Sequence, residues 1–281
     1  MEERRVTALE LRRFAGQLRR EERSPGTVEK YLGVARSFGA WLGCRPVTKE
    51  LVSEWKEELR GRGYAPATVN AMVAAVNRLL RGLGWEDCRV KPLKLQRKLF
   101  RESERELTRE EYERLVQAAR ERGRERLELL LEAICATGIR VSEVRFLTVE
   151  AVKSGRAEVA LKGKIRTILL PGKLCRKLMK YARRQKIASG EIFLTRGGKS
   201  LDRRQIWSEM KGLCRRAGVE PGKVFPHNLR HLFARLFYRA TRDVARLADV
   251  LGHSSIETTR IYLISTGAEH ARALERLRLI S

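Results

Sequence analysis

Nothing in this chain of 281 residues is long and apolar enough to cross a bilayer. The longest run without a charge, 63–77, has fifteen residues, and a spanning helix needs about twenty. The start, Met1-Glu-Glu-Arg-Arg, lacks the apolar core of a signal peptide. Cysteine is scarce: the five, at 44, 88, 135, 175 and 214, are widely spaced and form no Cys-x-x-Cys pair. That pattern excludes a zinc ribbon and a disulfide framework, and it fits a reducing cytoplasm. There is no phosphate-cradling Gly-Lys loop, no cluster of carboxylates, no internal repeat and no low-complexity tract. Negative charge is also in short supply. Sixty Lys and Arg face 34 Asp and Glu, a net charge of +26. A field of that sign attracts polyanions, and nucleic acid is the partner it fits. A hydrophobic content of 43% is enough to bury a core. The expectation is a soluble cytoplasmic protein, with no membrane partner.

Apolar residues at three- and four-residue spacing predict helices over 7–22, 25–42, 48–61 and 65–82. Ser24-Pro25 marks one start, Ser as cap and Pro in the first turn, where its missing N–H costs nothing. This bundle, 1–90, carries no catalytic constellation. Residues 1–97 hold 20 basic and 12 acidic side chains, a charge of +8. A basic stretch without a clean period comes next, and 91–106 reads as an interdomain linker, lying against phosphates or simply solvated. A second domain, 107–281, opens on Thr108-Arg-Glu-Glu111, the pattern of a capping box. Helices are expected at 108–122, 125–137 and 142–147. Runs at 156–161 and 165–170 around Lys162-Gly-Lys164 read as a β-hairpin whose turn displays lysines. A third strand is expected at 191–194 and helix through Leu277. The fold class is mainly α with a small antiparallel β-sheet in the second domain.

Chemistry concentrates in that domain. In Pro226-His-Asn-Leu-Arg-His231, His227 and Arg230 stand three apart and share a helix face. A guanidinium that holds anionic oxygens beside an imidazole that moves a proton suits a phosphodiester. His231 forms a His-x-x-x-His pair with His227, but the Glu of a zinc motif is missing and the neighbouring Arg repels a cation. His231 therefore reads as a packed helix residue. Downstream, Leu251-Gly-His253 is succeeded nine residues on by Tyr262. Upstream, Gly138 interrupts an apolar helix two residues before Arg140, a break that can present the arginine at a cleft. Each motif alone is more often structural than functional.

Taken together and in order, Thr137-Gly-Ile-Arg-Val-Ser-Glu143, His227-Asn-Leu-Arg-His231 and Leu251-Gly-His-Ser-Ser-Ile-Glu-Thr-Thr-Arg-Ile-Tyr262 resemble the signature blocks of the tyrosine recombinases, or phage integrases, and particularly their Xer-like branch. The resemblance covers about 108–265 strongly and is softer over the bundle, which looks like the family's core-DNA-binding domain. It implies a two-domain C-shaped clamp around duplex DNA. It also implies a site in which Arg140 and Arg230 grip the scissile phosphate and Tyr262 attacks it. His227 would act as base or orienting group, His253 would bond the phosphate, and a hairpin lysine would be the general acid. Here the sequence departs from the family's Gly-Lys-Gly-type turn. Lys162 and Lys164 both compete, and Lys162 is favoured because it directly precedes the turn Gly. Glu143 either holds its helix turn or a neighbouring base, or is solvated. No metal or other cofactor is implied, since the phosphotyrosine conserves the energy of the broken bond. The implied partners are a double-stranded DNA recombination site and further copies of the chain, four around two duplexes. The amphipathic segment 268–280 would dock on a neighbour as an exchange helix. No arm-binding domain is recognisable ahead of the bundle, which implies simple core sites. The chemistry alone also admits a type IB topoisomerase-like nicking enzyme, and the scaffold a catalytically silent DNA-binding regulator.

Overall fold

The structure, a computed structural model, describes residues 4–95, 106–161, 164–253, 255–260, 262 and 275. The chain divides into two compact units, Met1–Arg97 and Lys98–Ser281.

The first unit contains α1 (Ala8–Arg20), α2 (Pro25–Leu42), α3 (Lys49–Gly61) and α4 (Pro66–Gly82). Pro25 and Pro66 stand in the first turns of α2 and α4, where no N–H is needed and the fixed φ already suits a helix. Thr48 caps α3, its hydroxyl accepting from the Leu51 N–H at 3.3 Å. Val28, Leu32, Ala35, Phe38 and Leu42 make one buried stripe of α2, at the three- and four-residue spacing of a helix face. Phe38 meets Trp55 of α3 edge-on at 5.1 Å. Two asparagines seven apart on α4 hold the chain that leaves the bundle. Asn77 bonds the N–H and C=O of Val90 at 3.1 and 2.8 Å, and Asn70 those of Leu93 at 2.7 and 3.0 Å. The basic stretch therefore begins pinned to α4, and its residues 96–105 lie outside the described ones.

The second unit begins with the capping box: Thr108 accepts from the Glu111 N–H, and Glu111 accepts from the Thr108 N–H. Then come α5 (Arg109–Glu121) and α6 (Glu125–Thr137), a 3₁₀ turn, Val141–Phe146, and α7 (Val149–Ser154). The hairpin is β1 (Arg156–Leu161) and β2 (Lys164–Leu169), antiparallel with Val159 opposite Arg166 and Ala157 opposite Ile168. After it come α8 (Gly172–Arg184), α9 (Arg203–Lys211), α10 (Cys214–Ala217), α11 (Pro226–Thr241), α12 (Val244–Leu251) and α13 (Ile256–Arg260). The core runs from Leu107 to Leu232 and joins α5, α6, the hairpin's inner face, α8 and the start of α11. Helix α6 is buried nearly all round, Leu127 through Ile134 lying inside apart from Glu132.

Two expectations are corrected. The segment 142–147 is a 3₁₀ turn rather than an α-helix, because Arg140 and Glu143 close it with side-chain bonds. The third strand at 191–194 is absent. Glu191 and Leu194 each make one isolated bridge, to Thr148 and Ser200. Ile192 and Phe193 are successive and both fully buried, a pattern that anchors a loop and does not alternate as a sheet face does. Beyond Tyr262 the expected helix lies outside the described residues, Glu275 excepted.

Candidate active site

Helix α6 ends where Gly138 takes the left-handed conformation, φ 62°, a turn that glycine makes without strain. A Cβ there would lie 2.5 Å from the Phe233 ring. The chain then reverses and Arg140 opens the 3₁₀ turn. Glu143 reaches back to accept from the Arg140 backbone N–H and from its Nη1, both at 2.9 Å. Glu143 is 3% exposed, and its other cationic partner is Arg166 of β2. Burial pushes the Glu143 carboxyl up. Bonds from Arg166, from the Arg140 N–H and from the Arg140 side chain outweigh that and hold it below the ordinary range.

Helix α11 supplies His227, Arg230 and His231. Arg230 is 2% exposed. Its Nη1 donates to the Gly138 carbonyl and its Nη2 to the Leu251 carbonyl at 2.8 Å. Arg166 donates to the Val250 carbonyl at 3.3 Å, and Arg140 makes a longer bond, 3.5 Å, to the Gly252 carbonyl. Three arginines therefore converge on the C-terminal end of α12, where the last carbonyls lack helical partners and the dipole favours cations. This is how the fold gathers three guanidinium groups at one helix end with a single buried carboxylate, paired to two of them, leaving a local excess of positive charge. Burial, and then the neighbouring Arg140, lower the Arg230 pKa to about 10, so it remains charged at neutral pH.

His253 comes after Gly252 (φ 63°) at the end of α12. Arg230 Nη2 lies 3.0 Å from its Nε2, and the Thr259 hydroxyl lies 2.8 Å from its Nδ1. A guanidinium only donates, so Nε2 carries the lone pair and Nδ1–H donates to Thr259. Burial, reinforced by Arg230, Arg140, Arg166 and His227, lowers the His253 pKa to about 4. Thr259 is fully buried, and its carbonyl accepts the Tyr262 N–H at 3.0 Å. Tyr262, 3% exposed, packs with Ala234, Leu247 and Leu251. Its ring lies 4.4 Å from His231, 5.7 Å from His253 and 6.1 Å from His227.

The structure thus brings Arg140, Glu143, His227, Arg230, His253 and Tyr262 together, although they span more than a hundred residues of sequence. Lys162 lies outside the described residues. Lys164 opens β2, in register with Leu161. Glu143 is buried and doubly paired, so of the readings left open it is the one that holds its turn. His231 packs as expected, its ring the one nearest the tyrosine. Two residues were missed. Arg166 had a signal: it alternates with Ile168 and Leu170, an arginine on the strand's buried face. Thr259 had none beyond its position three residues before Tyr262. His227 and His231 meet edge-on at 4.5 Å, and among the described residues no three His, Cys, Asp or Glu side chains are grouped to hold a metal. No described helix is long and apolar enough to cross a membrane.

A buried tyrosine set among three histidines and beside three converging arginines, on a mostly helical unit with one small hairpin, is an arrangement suited to phosphodiester chemistry at a tyrosine. Residues 105–269 match the phage integrase family. Tyrosine recombinase XerA of Pyrococcus furiosus is 29% identical over 290 residues, covering 100% of this chain and 98% of that protein. Tyrosine recombinase XerA of Thermococcus kodakarensis is 31% identical, covering 95% and 94%. The Tn1549 transposon integrase, solved in complex with circular intermediate DNA, shares the fold with a TM-score of 0.72 at 18% identity, covering 95% of this chain and 98% of that one. The chain belongs to the phage integrase family and is a tyrosine recombinase of the Xer-like branch.

Proposed function

We propose that this protein is a site-specific recombinase that cuts and rejoins duplex DNA in the cytoplasm, with Tyr262 as nucleophile. The observation that carries the assignment is the burial of Tyr262 beside His227, His231 and His253, with Arg230 bonded to His253. Arg140 and Arg230 hold the non-bridging oxygens and stabilise the charge that develops on the pentacoordinate phosphorus. The Tyr262 oxygen forms its bond to phosphorus as the bond to the 5′ oxygen breaks, leaving a 3′-phosphotyrosyl link and a free 5′-hydroxyl. A neutral phenol is a weak nucleophile, so its proton must pass to a neighbour, and His227 is the residue assigned to take or orient it. His253, whose Nε2 accepts from Arg230 in the free protein, contacts the phosphate once Arg230 turns to the phosphate oxygens and Nε2 takes up a proton. Lys162, with Lys164 as the competing residue, delivers the proton to the departing 5′ oxygen. Reversal with a different 5′-hydroxyl joins the new strand, and four protomers on two duplexes complete the exchange. The DNA complex of the Tn1549 integrase supports duplex DNA as the partner.

A suicide DNA duplex nicked near the cleavage point tests this, because the short 5′ fragment diffuses away and traps the adduct. The wild-type protein is expected to form a covalent complex and to join strands between two duplexes. Tyr262→Phe removes only the hydroxyl and is expected to bind DNA without forming the adduct. An adduct in that variant would move the chemistry to another tyrosine, with Tyr238 of the same cluster the first candidate. Relaxation without joining would leave a nicking enzyme.

A further inference from the structure

Arg166 is absent from the proposed catalytic set, yet it is among the most heavily engaged side chains of the site. Along β2, Ile165 and Leu169 are exposed while Ile168 is buried, so the even-numbered positions face inward and Arg166 enters the core side opposite Val159. Its guanidinium side chain is 14% exposed. It pairs with Glu143 Oε2, the oxygen that also accepts the Arg140 N–H. It also caps the Val250 carbonyl at the end of α12. Its stem occupies the space where a Cβ on Gly252 would stand, directly beneath the turn that delivers His253. A leucine could fill the same inward position on the strand, so what Arg166 adds there is its charge and its hydrogen bonds. Its partners are the acid that aims Arg140 and the turn that carries His253.

We infer that Arg166 is a positioning residue for DNA cleavage: by sharing Glu143 with Arg140 and capping the end of α12, it holds Arg140 and His253 ready for the scissile phosphate. The inference rests on the function proposed above. The groups around Glu143 are Arg140 on its own turn and Arg166 on β2, with Arg230 of α11 and His253 after α12 beyond them. Without Arg166, Glu143 is a buried carboxyl with one side-chain cation, and its proton affinity rises. Once protonated it loses its charge-assisted hold on Arg140. Loss of Arg166 therefore makes cleavage sensitive to acid.

Single-turnover cleavage of the nicked duplex, measured across pH, tests this in the full-length protein, with DNA binding and thermal unfolding measured alongside. Arg166→Gln is expected to retain binding and to cleave roughly tenfold to a hundredfold more slowly at neutral pH, the scale of a catalytic group misplaced by up to about 1 Å. Its rate should fall further as pH is lowered. The double variant Arg166→Gln/Glu143→Gln should lose that added acid dependence, and Arg166→Lys should recover part of the rate, since it restores the charge but not the fork. If Arg166→Gln proves too unstable to assay, Arg166→Lys, which keeps the charge but loses the fork, should cleave more slowly than wild type without a new acid limb, and a wild-type rate would overturn the inference. A duplex with sulfur in place of the 5′ oxygen needs no general acid and should rescue Lys162→Ala but not Arg166→Gln. A rate loss uniform across pH, an acid limb that persists in the double variant and so belongs to His253, or rescue by the sulfur substrate would each overturn the inference. Wild-type protein that forms no adduct would instead refute the underlying function.

Discussion

His253 has both ring nitrogens committed, accepting from Arg230 through Nε2 and donating to Thr259 through Nδ1. Protonation would place a second N–H against a guanidinium, and this clash together with burial sets its pKa near 4, against an ordinary 6.5. The unfolded chain takes up the proton first as pH falls. The stabilising contribution of neutral His253 is therefore whole above about pH 6.5 and is lost as pH falls through about 4. Between about pH 7 and about pH 4.5 the thermal midpoint of the wild-type protein is expected to fall more than that of His253→Gln, whose amide can make both bonds without titrating. Parallel falls would assign the acid sensitivity to other groups. The same arrangement binds Tyr262 to the arginines, since one threonine receives His253 on its hydroxyl and Tyr262 on its carbonyl.

Helix ends do most of the assembly. The left-handed stop of α6 frees the Gly138 carbonyl, the stop of α12 frees those of Val250, Leu251 and Gly252, and arginines from three other elements take them up. Gly138→Ala tests how closely these ends are set. The left-handed conformation costs an L-residue roughly 1–2 kcal/mol, and the new methyl would press on Phe233. Gly155, which ends α7 at φ 72° with nothing within 4 Å of a Cβ, is the comparison. Gly155→Ala should show only the backbone cost in chemical unfolding. Gly138→Ala should lose more stability and also lose cleavage rate, because Arg230 shifts with its acceptor. Equal stability losses with cleavage intact would show that the turn tolerates movement.

Over the whole molecule, positive charge is carried by both units, +8 over residues 1–97 and +18 over the remainder. Each can contribute phosphate contacts, which set register on a duplex without reading its sequence. The proposed assembly would draw on a different feature. In the segment 268–280, Ala271, Leu274, Leu277 and Ile280 recur at three-residue spacing, which would wind an apolar stripe around the exchange helix expected from the sequence. Docked on a neighbouring protomer, it would make a head-to-tail contact of the kind that closes a ring, and it would tie the position of Tyr262 to the neighbour's state. Truncation after Gly267 is expected to leave a folded protein that binds a single site but loses cooperative binding to paired sites and recombination. Gel-shift titration beside thermal unfolding measures both. Undiminished cooperativity, or collapse of the fold, would show that the segment packs on its own domain.

Local rules wrote much of this protein into its sequence. Apolar spacing, Pro25 and the Thr108 box marked helices that the structure confirms within a residue or two, the 3₁₀ turn at Val141–Phe146 excepted, because caps and helix faces depend on neighbours three and four residues away. The ordered motifs marked Arg140, Glu143, His227, Arg230, His253 and Tyr262 through their resemblance to the family's signature blocks, with only the His227–Arg230 pair readable from phosphodiester chemistry alone. Tertiary structure alone decided the rest. Residues 191–194 carry strand-forming side chains, but burial of both Ile192 and Phe193 left the segment a loop. Arg166 became part of the site only when β2 packed beside the 3₁₀ turn, and His231 came nearest Tyr262 only when the chain after α13 returned over α11. The proton on His253 was decided in the same way, for it depends on a guanidinium 23 residues upstream. Contacts of this range have no local signature: they arise from which faces pack together, and only the folded chain brings those faces into register.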